Sequence, residues 1–412
     1  MPSPGRRPDS VLVVGAGLAG TYAVAGLRRR GFDGHLVMVG AEPHRPYDRP
    51  PLSKAVLTGG STTRLEDDLG EDLDVLCDEL LLDHRVTGLD VDASGVVVRG
   101  EGWDEPADAV LVTTGARPVV PAGWDGVLVL RTLDDAARLR AALVPGARLV
   151  VAGAGWIGAE VASSAAAVGC QVTVVEALPT PLGREIGTVG DLTRPWYAAA
   201  GVQLLTGRRV VSATGERVVL DDGEELVADA VVAALGVLPD AGWLGSGAHG
   251  VEVGANLRAV GPLAPHVLAA GDCAVRWSPR YDRWVAGGHW EEAMLAGDAA
   301  AATLAGEDVV HDPVPYVFST QFGREVALAG RPHAGARVLV RGEPAAGEGF
   351  AAAWVLADTA GQDRLVALLT VDRPRDVAQA RRALGGADGT GVPVGTAALG
   401  DPDVPVRAAL RG

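Results

Sequence analysis

The chain has 412 residues, 48% of them hydrophobic and 21% charged, with 56 glycines and only 4% aromatics. That is enough for two or three domains of soluble composition, with cores built mainly from Ala, Val and Leu. A formal net charge of −16 argues against a general nucleic-acid or anionic-membrane binder.

Cysteine usage narrows the class further. Cys77, Cys170 and Cys273 are widely spaced, and no CxxC pair exists. A local zinc site and a redox dithiol are therefore excluded, and the reducing cytosol is the expected compartment.

Arg6-Arg7 followed by the apolar run Val11–Leu27 superficially copies an export signal. The glycines inside it and the closing Arg28-Arg29-Arg30 read instead as strand, turn and helix. Val11–Val14 is the apolar, β-branched run of a buried parallel strand. Gly15, Gly17 and Gly20 then form G-x-G-x-x-G, an Ala/Leu-rich helix follows to Arg30, and Gly31 can end it. HLVMVG is a second strand, closed by Glu42. Gly15 permits the tight turn, Gly17 lets backbone approach a pyrophosphate, and Gly20 lets helix pack on strand. The acid can accept ribose hydroxyls.

Next comes YDRPPLSK, Tyr47–Lys54, where Pro50-Pro51 stiffen a turn. Alone it reads as a rigid linker with a solvated lysine. The strand–glycine–helix–strand unit recurs at Arg148–Ala177, with Gly153, Gly155, Gly158 and a terminal Glu176. Two such units imply two dinucleotides on one chain. Glu176 favours NADH over NADPH, because a carboxylate accepts from a 2′-hydroxyl and repels a 2′-phosphate. Arg184 can soften that preference. Pro315–Gly330, Ala336–Gly342, Phe350–Asp358 and Arg364–Asp376 alternate β-like runs with turns, and VAQARRAL reads as a short helix. Gly385–Gly412, rich in Gly, Ala, Asp and Pro, reads as an extended, partly mobile tail.

The order of these motifs, together with LVTTGARP (Leu111–Pro118), LGVLPD (Leu235–Asp240) and VLAAGDCA (Val267–Ala274), resembles the FAD-dependent pyridine nucleotide oxidoreductases. RPPLSK and HWEEA (His289–Ala293) narrow the resemblance to the ferredoxin reductases of oxygenase systems. It covers nearly the whole chain. It implies an α/β fold with two Rossmann-like, glutathione-reductase-like dinucleotide domains and a C-terminal α+β interface domain. The implied boundaries are 1–115 with 243–312 for FAD, 116–242 for NAD(H), and 313–412 for the interface domain with its tail.

The resemblance also implies roles. Gly15, Gly17, Gly20 and Glu42 hold the adenosine and pyrophosphate of FAD. Arg49 and Lys54 reach phosphate and flavin, Val86 touches adenine through its backbone, and Arg131 also contacts FAD. Thr114 and Gly115 mark the crossing between domains. Asp272 bonds the ribitol, and Trp290 lies near the flavin ring. Gly153, Gly155, Gly158, Glu160, Glu176 and Gly236 serve NADH. Lys54 pairs with Glu160, and Lys54, Glu160 and Trp290 are the candidate catalytic residues. No metal is expected.

Three stretches depart from the family pattern. Ala286-Gly287-Gly288 replaces a charged R-x-E, Glu292 replaces an Asn, and Val317-Phe318-Ser319-Thr320 stands for F-W-S-D. The first reading is an NADH:ferredoxin reductase passing single electrons to an iron–sulfur protein. Its docking on an acidic ferredoxin would need a local basic patch, such as Arg373, Arg375, Arg381 and Arg382. The second is a flavoenzyme acting directly on a small molecule through a widened flavin site. The third is a slow, signalling charge-transfer protein. The partner's identity and the oligomeric state are left open.

Overall fold

The computed structural model describes residues 7–92, 95–245 and 249–410. Arg6 of the N-terminal Arg6-Arg7 pair and residues 411–412 of the C-terminal stretch lie outside them. The chain divides into two compact units. One comprises Met1–Asp48, Thr63–Arg117 and Val237–Pro313; the other comprises Arg49–Thr62, Pro118–Gly236 and Val314–Gly412.

The first unit is built on a five-stranded parallel sheet in the order Val267–Ala269, Ala109–Val112, Ser10–Val14, His35–Val39, Glu79–Leu81. Strands buried on both faces must be apolar throughout, and Val11–Val14 and Ala109–Val112 are. The helices Leu18–Arg29 and Trp290–Leu304 pack on each other through small residues, Ala19 and Ala23 on one and Ala296, Ala300 and Ala301 on the other. Sequence order thus places the first glycine turn, the Ala109–Val112 strand end and the Val267–Ala269 strand end at the same edge. Parallel strands put ligand groups there.

The second unit repeats the parallel design in four strands, ordered Gln203–Thr206, Gln171–Glu176, Arg148–Ala152, Ala230–Ala233. It also carries an antiparallel sheet in the order Tyr316–Gln321, Arg324–Gly330, Asp363–Val371, Phe350–Ala357, Arg337–Arg341, with Val392–Pro393 on the Asp363–Val371 strand. The run Pro315–Gly330 is a hairpin of two strands, turned at Phe322 and Gly323, both with positive φ (51° and 75°). Arg49–Thr62, which the sequence places in the first domain, clusters with the second unit because Leu57 is buried in the core around Leu139 and Leu143.

One expectation is corrected. Residues 386–410 do not run as an extended tail. They form the Val392–Pro393 strand and the short helices Thr396–Gly400 and Val406–Ala409. Leu399, Val406 and Ala409 are buried against Ala351, Ala353 and Leu368 of the sheet. The buried guanidinium of Arg341 donates to the carbonyls of Leu399 (2.9 Å), Pro402 (3.3 Å) and Val404 (2.6 Å). Composition hid this, because three apolar side chains and three backbone carbonyls suffice to dock a Gly/Pro-rich segment.

Candidate functional site

In the first unit each glycine of the turn has its own reason. Gly15 has φ +118°, and a Cβ there would lie 2.3 Å from the Thr113 carbonyl oxygen. A Cβ on Gly20 would lie 2.2 Å from the Gly15 oxygen. Both are forced by protein packing. Gly17 is different, since a Cβ there would meet nothing within 4 Å. It caps the helix Leu18–Arg29 without a side-chain cap, and no acid sits in the first turn. The helix therefore opens on free N–H groups and open space, the cradle a pyrophosphate needs.

Around that turn the expected residues take defined positions. The Tyr47 hydroxyl donates to Glu42 Oε2 (2.6 Å), steering the carboxylate. Thr113 Oγ1 donates to the Gly15 carbonyl (2.7 Å), and Thr114 Oγ1 to the Asp240 carbonyl (2.6 Å). Gly115 takes φ +73°. Val86 opens the antiparallel strand Val86–Val91 and packs against the unit's core. Asp272 sits in the turn Gly271–Cys273 that follows the Val267–Ala269 strand. Trp290 begins its helix and donates from Nε1 to Asp48 Oδ1 (2.6 Å). Burial pushes the neighbouring Cys273 thiol up to about 11, so it stays protonated. All three cysteines are free.

Two of the departures take on packing or charge partners. A Cβ on Gly287 would lie 2.2 Å from the Gly271 oxygen, so packing beside Asp272 demands a glycine there. Only Gly288 faces open space. Glu292 Oε1 lies 3.3 Å from His311 Nε2 and 3.9 Å from Arg276 Nε, and Arg276 also pairs with Asp312 (2.6 Å). The extra acid is thus partnered by an arginine and a histidine within its own unit.

The second unit repeats the turn. Gly153 (φ +107°) would place a Cβ 2.4 Å from the Ala234 oxygen, and Gly158 one 2.1 Å from the Gly153 oxygen; Gly155 again meets nothing within 4 Å. Glu176 accepts from Ala154 N (2.7 Å) through Oε2 and from Leu178 N (2.8 Å) through Oε1, which fixes the carboxylate at the strand end. Gly236 has φ +99° with open space where a side chain would stand. Glu185 was not foreseen. Burial raises its pKa, and Glu176 adds to the rise while Arg184 opposes it.

The proline turn and its charged pair lie in this unit. Pro50–Ser53 is a short 3-10 turn with Arg49 before it and Lys54 after. Arg49 donates from a guanidinium nitrogen to the Arg131 carbonyl, and Arg131 N to Asp135 Oδ2 (3.0 Å), which joins two of the expected arginines. Lys54 Nζ lies 2.8 Å from Glu160 Oε2. Glu160, only 3% exposed, also accepts from the Ser53 hydroxyl and, through Oε1, from the Ser319 hydroxyl (2.5 Å). The loop lysine is therefore held by a buried carboxylate. Of the four arginines expected as a patch, Arg373 pairs with Asp376 (2.6 Å) and Arg381 lies 4.4 Å over the Tyr316 ring; Arg375 and Arg382 are exposed.

Two dinucleotide folds with open glycine cradles, one of them carrying a braced lysine–carboxylate pair, define an oxidoreductase of the two-nucleotide class. The chain belongs to the pyridine nucleotide-disulphide oxidoreductases, whose pattern matches residues 9–299, and a reductase C-terminal domain matches 316–410. Its full-length relatives are ferredoxin reductases. It is 31% identical to putidaredoxin reductase of Pseudomonas putida, over 97% of this chain and 96% of that one. It is 32% identical to the ferredoxin–NAD(+) reductase component of the anthranilate 1,2-dioxygenase system of Burkholderia cepacia, over 91% and 94%. Among solved structures, Fdr9 superposes with a TM-score of 0.86 at 39% identity, covering 96% of this chain and 99% of that one. The covalent putidaredoxin reductase–putidaredoxin complex gives 0.86 at 30%, covering 98% and 99%. Among the described residues no helix is long and apolar enough to cross a membrane, and no cluster of metal-ligating side chains occurs.

Proposed function

We propose that this protein is an FAD-dependent NADH:ferredoxin reductase of the reducing cytosol, serving an iron–sulfur partner of an oxygenase or P450 system. The observation that carries the reading is the Lys54–Glu160 pair in a chain with two open glycine cradles. The residues fit FAD. The Gly17 cradle takes pyrophosphate, Glu42 takes ribose hydroxyls, and Asp272 stands at a strand end where a ribitol hydroxyl can bond. In the 116–242 domain, Gly155 and Glu176 do the same for NADH, and Glu176 disfavours a 2′-phosphate. FAD, when bound, supplies the chemistry that accepts a hydride and releases electrons singly. The protein's part is to orient and to stabilise charge. The ferredoxin-reductase resemblance gives Lys54 the role of stabilising negative charge on reduced flavin, and Glu160 holds its ammonium at 2.8 Å.

A small-molecule reductase with a widened site is the competing reading. Its motive was Ala286-Gly287-Gly288, and Gly287 is already committed to packing on Gly271. Anaerobic titration of the yellow protein with NADH and NADPH, followed by cytochrome c reduction with and without a ferredoxin, separates the two. The proposal expects bleaching by NADH and ferredoxin-dependent reduction that falls with salt. Full turnover without ferredoxin selects the competitor. A colourless protein that cannot be reconstituted with FAD overturns both.

A further inference from the structure

The Glu160 carboxylate is held from three directions, and one of them is not explained by dinucleotide binding. Lys54 and Ser53 come from the proline turn. Ser319 comes from the strand Tyr316–Gln321 of the C-terminal sheet, and its hydroxyl donates to Glu160 Oε1 at 2.5 Å. That hydroxyl is itself fixed, because Gln321 Nε2 donates to Ser319 Oγ at 3.0 Å. Gln321 is fully buried and leaves its Oε1 without a partner. An apolar residue would suit that strand position better, since a buried unpaired acceptor is a net cost. What Gln321 gives in return is the bond to Ser319.

A second tie runs alongside the first. One helical turn past Glu160, Ser163 Oγ accepts from Phe322 N (2.8 Å), and Ser164 donates to the Ser53 carbonyl (2.7 Å). One face of the helix Trp156–Val168 thus registers the C-terminal sheet and the proline turn together. The composition adds an independent sign. Lys54 is the single lysine in a chain with 35 arginines. A chain that uses arginine everywhere else keeps at this position a compact ammonium on a flexible stem instead of a planar guanidinium fork.

We propose that Ser319 and Gln321 are positioning residues of the reductase, through which the C-terminal sheet fixes Glu160 and thereby Lys54. The proposal rests on the reductase reading, and its first test does not. Because Lys54 is the only lysine, an amine acylating reagent labels one side chain and the N-terminal amine, which serves as internal reference. The full chain, stripped of flavin and also loaded, is labelled as wild type, Ser319→Ala and Gln321→Met, and read by mass spectrometry. With Glu160 loosened, Lys54 is labelled about three-fold faster in Ser319→Ala and less so in Gln321→Met. In the loaded enzyme the rate of flavin reduction by NADH falls about ten-fold in Ser319→Ala with the NADH Kd unchanged, a split that a loss of folding does not produce. Gln321→Met, close to isosteric, keeps the test decisive if Ser319→Ala folds poorly. Unchanged labelling in folded variants overturns the proposal. Faster labelling in a protein that NADH cannot reduce upholds the positioning and overturns the reductase reading instead.

Discussion

The two glycine turns are the same object built twice. Gly15 and Gly153 are both crowded by a carbonyl at 2.3 and 2.4 Å, Gly20 and Gly158 both by the turn's own first glycine, and Gly17 and Gly155 both face open space. The difference comes two residues after the third glycine. The first helix has Tyr22 there, half-buried; the second has Glu160, buried and bonded to Lys54, Ser53 and Ser319. The shared positions shape the same turn and leave the same open space at its middle glycine. The position that differs carries the charge pair, so the scaffold and the chemistry are separable in sequence.

That separation can be broken deliberately. The largest effect should come from placing a charge in a cradle. Gly17→Asp lowers FAD affinity by about 100-fold or more, while Gly155→Asp leaves the protein yellow and costs NADH a similar factor, both read by equilibrium titration. Packing glycines behave differently. Gly15→Ala forces a Cβ into the Thr113 carbonyl at positive φ and costs about 3 kcal/mol in chemical denaturation, whereas Gly17→Ala costs under about 1 kcal/mol of stability. Lys54→Met keeps the fold and slows flavin reduction about 50-fold in stopped-flow. Glu176→Ala moves the NADH/NADPH ratio of kcat/KM about ten-fold toward NADPH.

The smallest effect is electrostatic and lies just before the proline turn. Arg45 donates to Glu66 (2.6 and 2.8 Å) and holds its carboxyl below the usual range. A depressed acid stabilises the fold above its unfolded pKa, and that contribution fades as pH falls through the folded value. Glu66→Gln therefore lowers Tm slightly at pH 7 and flattens its fall below about pH 4.3.

Sequence carried the parts of the site set by local rules. Glycine spacing, strand hydrophobicity and the terminal acids at Glu42 and Glu176 are patterns within thirty or so residues. It could not show what depends on distant partners. Ser319 meets Glu160 from 159 positions away, and nothing around Gln321 announces a buried amide. Gly287 read as part of a widened stretch because the Gly271 carbonyl that excludes a side chain there is invisible in sequence, whereas the charges missing at Ala286 and Gly288 have no such packing reason. The solitary lysine was legible throughout, as a count rather than a motif.

The Arg341 guanidinium has a consequence for synthesis. It is buried within the sheet, and three of its acceptors are carbonyls from Leu399 to Val404. A nascent chain that has made the sheet through Val371 and the helix after it already offers this arginine Asp376 (3.2 Å), while its three carbonyl acceptors are still inside the ribosome. Three of its bonds therefore form only once Leu399–Val404 emerge, and a chain cut short near residue 395 would lose all three and the apolar cover of Leu399, Val406 and Ala409, an easier target for proteases.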